Sequence, residues 1–136
     1  MSQIPLSVSD YMSRNVITVL PQTEITQVVR MLIEHDISGL IVVNDLGAVV
    51  GMVTERDCIA VASAAGYYEE WGGPVEHYMA TPVEIVAPDD SLIDVAARMA
   101  ASRYRRFPVV EDGRLVGLLT RRDVLRAIED GSWSTP

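Results

Sequence analysis

The chain contains no lysine, so every permanently cationic side chain is an arginine. It has one cysteine, Cys58, which rules out an internal disulfide. A lone thiol fits a reducing compartment, and a cytoplasmic protein is expected. Long apolar runs are missing too. Stretches such as Leu40 to Val43 and Ala48 to Val53 fall far short of the roughly 20 residues of a membrane helix. The opening "MSQIPLSVSD" has no charged start and no apolar run behind it, so no signal peptide is expected. No membrane partner is expected either.

What is present is acidic overall, with a net charge of −8. That works against a nucleic-acid partner, because phosphate contacts need clustered cations. The arginines are unevenly placed. Arg14, Arg30 and Arg56 are the only three before Pro74, and the other eight lie between Arg98 and Arg126. Such a cluster is either a set of solvated helix faces or a local anion site.

The chain repeats itself. Shifted by 67 positions, "VSDYM" (Val8 to Met12) falls on "VEHYM" (Val75 to Met79), Pro21 on Pro88, and "ITQVVRMLIE" on "LIDVAARMAA". One extra residue near Leu46 changes the offset to 66, and Gly51, Thr54 and Asp57 then fall on Gly117, Thr120 and Asp123. Each copy has the same grammar. An apolar strand, Val16 to Val19 or Val83 to Val86, stops at a proline. Thr23 or Asp90 is placed to cap the next helix. In that helix Ile25, Val28, Val29, Leu32 and Ile33, or Leu92, Val95, Ala96, Met99 and Ala100, recur at the spacing of one buried face. Then come two strands joined by "NDLG" or "EDGR"; the Asp112-Gly113 pair is a hairpin signal. A closing helix starts near Thr54 or Thr120.

The unit is β-α-β-β-α. One such unit leaves a sheet face uncovered, so two are expected to pack sheet to sheet with pseudo-twofold symmetry in an α/β (α+β) fold. The divisions are 7–62 for the first unit, 63–74 for a connector, 75–130 for the second unit and 131–136 for a tail. Tyr67, Tyr68 and Trp71 make the connector too apolar for a free linker. They are expected to pack on the body or to cover a pocket mouth.

Two tandem units that open with V-x-x-Y-M and close with G-x-(apolar)-T-x-R-D resemble the CBS-domain pair, or Bateman module. "YRRFPVVEDGRLVGLLTRRDVL" (Tyr104 to Leu125) is the most characteristic stretch, and the likeness runs from about Ser7 to Ile128. It leaves no room for a separate catalytic or DNA-binding domain in the chain. The resemblance implies a regulatory module that binds AMP, ADP, ATP or S-adenosylmethionine in clefts between paired units. It also implies a homodimer and an unidentified protein partner, with no cofactor required.

The repeated phrase has two compatible uses. Thr54 with Asp57, and Thr120 with Asp123, form capping boxes, in which the Thr caps the helix and the acid reaches back to a free N–H. The same helix start presents N–H groups to phosphate, and a carboxylate there can accept hydrogen bonds from a ribose cis-diol. The resemblance implies that Thr54, Asp57, Thr120 and Asp123 hold ribose or phosphate. It places the adenine near Thr18, Leu40 and Val53 in copy one and near Ile85, Phe107 and Leu119 in copy two. Core packing is the competing role for each apolar member of these sets. Arg105, Arg106 and Arg122, with Arg103 beside them, are the phosphate candidates, because guanidinium donors form a fixed fork. Copy one has Ser38, Gly39 and Ile41 where copy two has Arg105, Arg106 and Pro108. Unequal occupancy of the two clefts is therefore expected, with the order unassigned.

An enzyme is not expected. Cys58 beside Asp57 is read as a small buried helix residue, and His35 and His77 have no partner at metal-ligand spacing, so no metal is expected. The rival reading is a ligand-free module that dimerises or docks a partner, using Val124, Leu125, Ala127 and Ile128 of the last helix as its face.

Overall fold

The computed structural model describes residues 6–68 and 72–133. They form two units of mixed α and β structure. A continuous unit spans Ile17–Val83, and a split unit joins Met1–Val16 to Glu84–Pro136. The continuous unit holds β1 (Thr18–Val19), α1 (Ile25–Glu34), β2 (Gly39–Val43), β3 (Val49–Thr54) and α2 (Glu55–Tyr68). Its sheet runs β1-β2-β3, with β1 parallel and β3 antiparallel to β2. The split unit holds α3 (Leu92–Ala101), β4 (Arg106–Glu111), β5 (Arg114–Thr120) and α4 (Arg121–Glu129). Here β4 and β5 are antiparallel. A single parallel bridge from Val86 to Val109 stands where the other unit pairs Val19 with Val42. The expected strand at 83–86 is thus reduced to one bridge.

The helix faces are narrower than their spacing suggests. Ile25, Val28 and Leu32 of α1 are buried, as are Leu92, Val95 and Met99 of α3. Ile33 and Ala100, at i+8, are exposed. At about 100° per residue, i, i+3 and i+7 lie within roughly 60° of one another, whereas i+8 lies roughly 100° from i+7. The caps also differ from expectation. Ser91, not Asp90, caps α3 by accepting from the Asp94 N–H at 3.3 Å. Glu24, not Thr23, is the N-cap position of α1 and makes no side-chain cap. Thr23 and Asp90 turn back instead, accepting from the Leu20 N–H (3.1 Å) and the Ala87 N–H (2.8 Å). Each closes the turn after its proline rather than the helix after it.

The turns between the paired strands follow their sequence. Asp112 and Gly113 both take positive φ, 53° and 77°, as a two-residue hairpin of matching twist requires. In the other unit Asn44 Oδ1 accepts from the Leu46 and Ala48 N–H groups. The apolar face of each sheet packs on its helices. Leu40, Val42 and Val53 lie with Ile25, Val28 and Cys58 in one core. Phe107, Val109 and Leu119 lie with Leu92, Val95 and Ala127 in the other.

The spatial units are not the sequence copies. The lead-in Val8–Asp10 belongs to the split unit. Val8 is fully buried in that unit's core and its N–H bonds the Asp90 carbonyl, while the Ser9 N–H bonds the Pro88 carbonyl. The lead-in Val75–His77 does the same for the continuous unit: the Val75 and Glu76 N–H groups bond the Thr23 and Pro21 carbonyls. Each lead-in thus serves the other copy's strands and helices. The connector shrinks too, because α2 runs on to Tyr68 and makes 63–68 helical. The side chains of Tyr67 and Tyr68, and Trp71 as a whole, lie outside the described residues.

The exchanged lead-ins explain the glycine that opens each repeated phrase. The Met79 thioether lies where a Cβ on Gly51 would sit. A Cβ on Gly117 would meet Met12 Sδ at 2.6 Å and the Ser13 carbonyl oxygen at 3.0 Å. A methionine side chain can swing away. Ser13 cannot, because its N–H and carbonyl both pair with Leu118 at 2.9 Å. Gly117→Ala is therefore expected to destabilise the protein by about 1–3 kcal/mol, and Gly51→Ala by less. Urea denaturation of the two variants checks the order, and equal losses would contradict the backbone argument.

Candidate functional site

Each unit has one sharp passage from strand to helix, and the repeated phrase occupies it. β3 ends on Thr54 where α2 begins, and β5 ends on Thr120 where α4 begins. Threonine suits both roles: it is β-branched for the strand and its hydroxyl caps the helix. Thr120 Oγ1 accepts from the Asp123 N–H at 3.3 Å, while Asp123 Oδ2 accepts from the Thr120 N–H (2.8 Å) and hydroxyl (3.0 Å). Thr54 and Asp57 repeat this, in the same order, at 3.3, 2.9 and 3.1 Å. The capping boxes are formed in both copies, with one carboxylate oxygen of each acid committed to them.

The second oxygen separates the copies. Asp123 Oδ1 accepts from the Arg126 guanidinium at 2.6 Å, which also reaches the Tyr11 carbonyl at 3.3 Å. Asp123 is 7% exposed, the only buried charged residue among those described. Asp57 is half-buried, and no described residue donates to its Oδ1. The reason is one position: Ala60 stands where copy two has Arg126.

The basic candidates gather by backbone pairing. Arg106 lies opposite Thr120 in the β4–β5 ladder, and the Arg105 carbonyl accepts from the Arg121 N–H at 3.0 Å. Arg105, Arg106, Arg121 and Arg122 therefore start from one end of the split unit, around Thr120 and Asp123. Arg105, Arg121 and Arg122 are exposed. Arg121 was not singled out from the sequence; the R-R pair in "TRRD" was the available signal. The continuous unit has Ser38, Gly39, Glu55 and Arg56 at these places, stitched by the same bond from the Glu55 N–H to the Ser38 carbonyl (2.9 Å). Other arginines of the cluster have local uses. Arg98 bonds Glu84 at 2.6 Å and lies over the Phe107 ring, and Arg103 lies over Tyr104.

The adenine candidates divide. Leu40 faces Val53 and Phe107 faces Leu119 in the two ladders, and all four side chains are buried in the cores. The structure assigns them to packing, so only their main chains remain for a ligand. Thr18 of β1, opposite Ile41 of β2, is half-buried, and Ile85 is 45% exposed.

The proposed association face is also halved. Val124 and Ala127 point into the core, whereas Leu125 and Ile128 are exposed, as is Ile59 at the position equivalent to Leu125. Cys58 is buried, and burial pushes its thiol above the ordinary range, with the Asp57 charge adding to this. A reactive thiolate is not what this position favours. Tyr11 ties its lead-in to the end of α4 by donating to Asp130 and accepting from the Ser132 hydroxyl, and its bond holds the Asp130 carboxyl below its usual range. Among the described residues no helix is long and apolar enough to cross a membrane.

Two units of one architecture, each turning from strand to helix on the same Thr–Asp cap, define a tandem α+β repeat module. The family model for the CBS domain matches residues 8–64 and 75–130, and the chain belongs to that family. It is 33% identical to the CBS domain-containing protein YhcV of Bacillus subtilis, over 87% of this chain and 82% of that one. It is 31% identical to the uncharacterized protein MJ1225 of Methanocaldococcus jannaschii over 89% of this chain, but spans only 42% of that protein's length. The crystal structure of CBSX2 in complex with AMP superposes with a TM-score of 0.84 at 30% identity, covering 93% of this chain and 98% of that one. The CBS domain pair of protein MJ0100 in complex with 5'-methylthioadenosine and S-adenosyl-L-methionine superposes at 0.78 and 28% identity, covering 93% and 98%.

Proposed function

We propose that the chain is a regulatory module that binds an adenosine-containing ligand and performs no chemistry on it. The observation that carries this reading is the formed Thr–Asp cap at the same strand-to-helix turn of both units. It sets a carboxylate beside the free N–H groups of a helix start, a pairing suited to a ribose diol and a phosphate. The AMP complex of CBSX2 and the S-adenosylmethionine complex of the MJ0100 pair support the ligand class. In this reading Thr54 with Asp57, and Thr120 with Asp123, hold ribose, while Arg105, Arg106 and Arg122, joined by Arg121, attract phosphate. Thr18, with the main chains of Leu40 and Val53, borders the adenine in copy one, and Ile85, with the main chains of Phe107 and Leu119, borders it in copy two. Ligand acts by binding one conformation better than another and shifting the population.

A panel of AMP, ADP, ATP and S-adenosylmethionine tests it by thermal shift. A ligand at about 100 times its Kd adds roughly 2.7 kcal/mol, or several degrees at about 2–8 °C per kcal/mol. No shift with any of them at millimolar concentration would sink the reading. The ligand-free alternative draws support from the exposed Ile59, Leu125 and Ile128, which suit a self-association face in a homodimer.

A further inference from the structure

We propose that Arg126 is a specificity-determining latch on the ribose grip of the split unit, and that nucleoside therefore fills the Asp57 grip first. The inference rests on the reading that Asp57 and Asp123 accept hydrogen bonds from ribose hydroxyls. A carboxylate can grip a cis-diol only with an oxygen not already committed. Both caps use Oδ2 alone, on the N–H and hydroxyl of the same threonine. In the continuous unit that leaves Asp57 Oδ1 without a donor among the described residues. In the split unit Oδ1 holds Arg126 at 2.6 Å.

The latch is built from two sides. The guanidinium that closes Asp123 also reaches the Tyr11 carbonyl of the docked lead-in, at 3.3 Å. The Arg126 side chain is 58% exposed while that of Asp123 is 10% exposed. A ribose approaching Asp123 must displace a charged donor that water can take up, whereas one approaching Asp57 displaces water alone. A pair with one exposed partner is worth little to the fold, and that same small net strength, a few-fold in affinity, counts against a competing ligand. The neighbouring Arg105, Arg121 and Arg122 then favour ligands whose phosphates offset the lost ribose contact. The two grips thus differ in preference: the Asp57 grip takes an uncharged nucleoside more readily, and the Asp123 grip favours an anionic one.

Adenosine is the right probe, because it has no phosphate for the arginines to attract. Calorimetry on the intact chain is expected to show a tighter adenosine-binding event, lost in Asp57→Asn, and a weaker one at Asp123. Arg126→Ala is expected to tighten a second event by roughly three- to tenfold. Arg126→Lys keeps the cation and should match the unsubstituted protein. Adding Asp123→Asn to Arg126→Ala should erase the gain. Arg126→Met retains the packing of the stem and repeats the release should the alanine variant be unstable. No gain in either variant, or a gain that survives Asp123→Asn, overturns the latch while leaving the ribose reading intact. If adenosine binds but neither Asp57→Asn nor Asp123→Asn changes it, the ribose reading itself fails. No adenosine binding to any variant overturns both.

Discussion

Asp57→Asn is expected to weaken AMP binding at the grip of the continuous unit about 100-fold with little loss of stability. An asparagine is nearly isosteric and keeps one oxygen to accept from the Thr54 N–H and hydroxyl, now at 2.9 and 3.1 Å. The helix cap is thereby retained. The atom facing the ligand changes from a charged acceptor to an amide donor, which cannot accept from a ribose hydroxyl. Hydrogen bonds to charged groups are worth about 1.5–3 kcal/mol each. Losing the diol contact at about 2.7 kcal/mol corresponds to about 100-fold in Kd. Asp57→Ala gives the contrast, since it also removes the cap, worth about 1 kcal/mol. Calorimetry and urea denaturation of both variants separate the two roles. An unchanged Kd in Asp57→Asn would reduce Asp57 to a capping residue.

The largest stability loss is expected from Phe107→Ala. Phe107 is the sole phenylalanine in the chain and is 1% exposed. It pairs with Leu119 across the β4–β5 ladder, within the core that also holds Leu92 and Val95 of α3 and Ala127 of α4. Truncating a buried phenylalanine costs about 3–5 kcal/mol through lost transfer energy and the cavity left behind. Whole domains are stable by only about 5–15 kcal/mol, so much of the margin disappears. The Arg98 guanidinium over the ring would also lose its partner. A denaturation midpoint close to that of the unsubstituted protein would show that the core refills the space. The same residue illustrates a limit on reading sites from a resemblance: its position borders the expected adenine, but its side chain is interior.

Much of this was legible in the sequence because it is local. The helix and strand periods, the Asp112-Gly113 turn and both capping boxes depend on residues within about seven positions of one another, and the repeat is that local pattern met a second time. Their geometry follows from spacing alone. The misassigned caps show where local reasoning stops. Thr23 could cap forward or turn back, and a proline two residues earlier made the backward bond to Leu20 available. Ile33 and Ala100 failed as face residues because apolar spacing does not say how wide a stripe the core can cover.

Composition and pattern by themselves determined that the fold is written twice and which turn carries the paired threonine and aspartate. They also showed that the two turns differ in their arginines. Only the tertiary structure decided which lead-in serves which copy. "VSDYM" and "VEHYM" offer the same valine, tyrosine, methionine and backbone donors, so either can satisfy the carbonyls of either proline loop. The choice lies in the path of the chain, and it places Met12 on Gly117 and Met79 on Gly51. The availability of the two acids was likewise a matter of three dimensions. Asp57 and Asp123 are identical in type and in cap; a guanidinium folded back by three residues occupies the free oxygen of one and not the other.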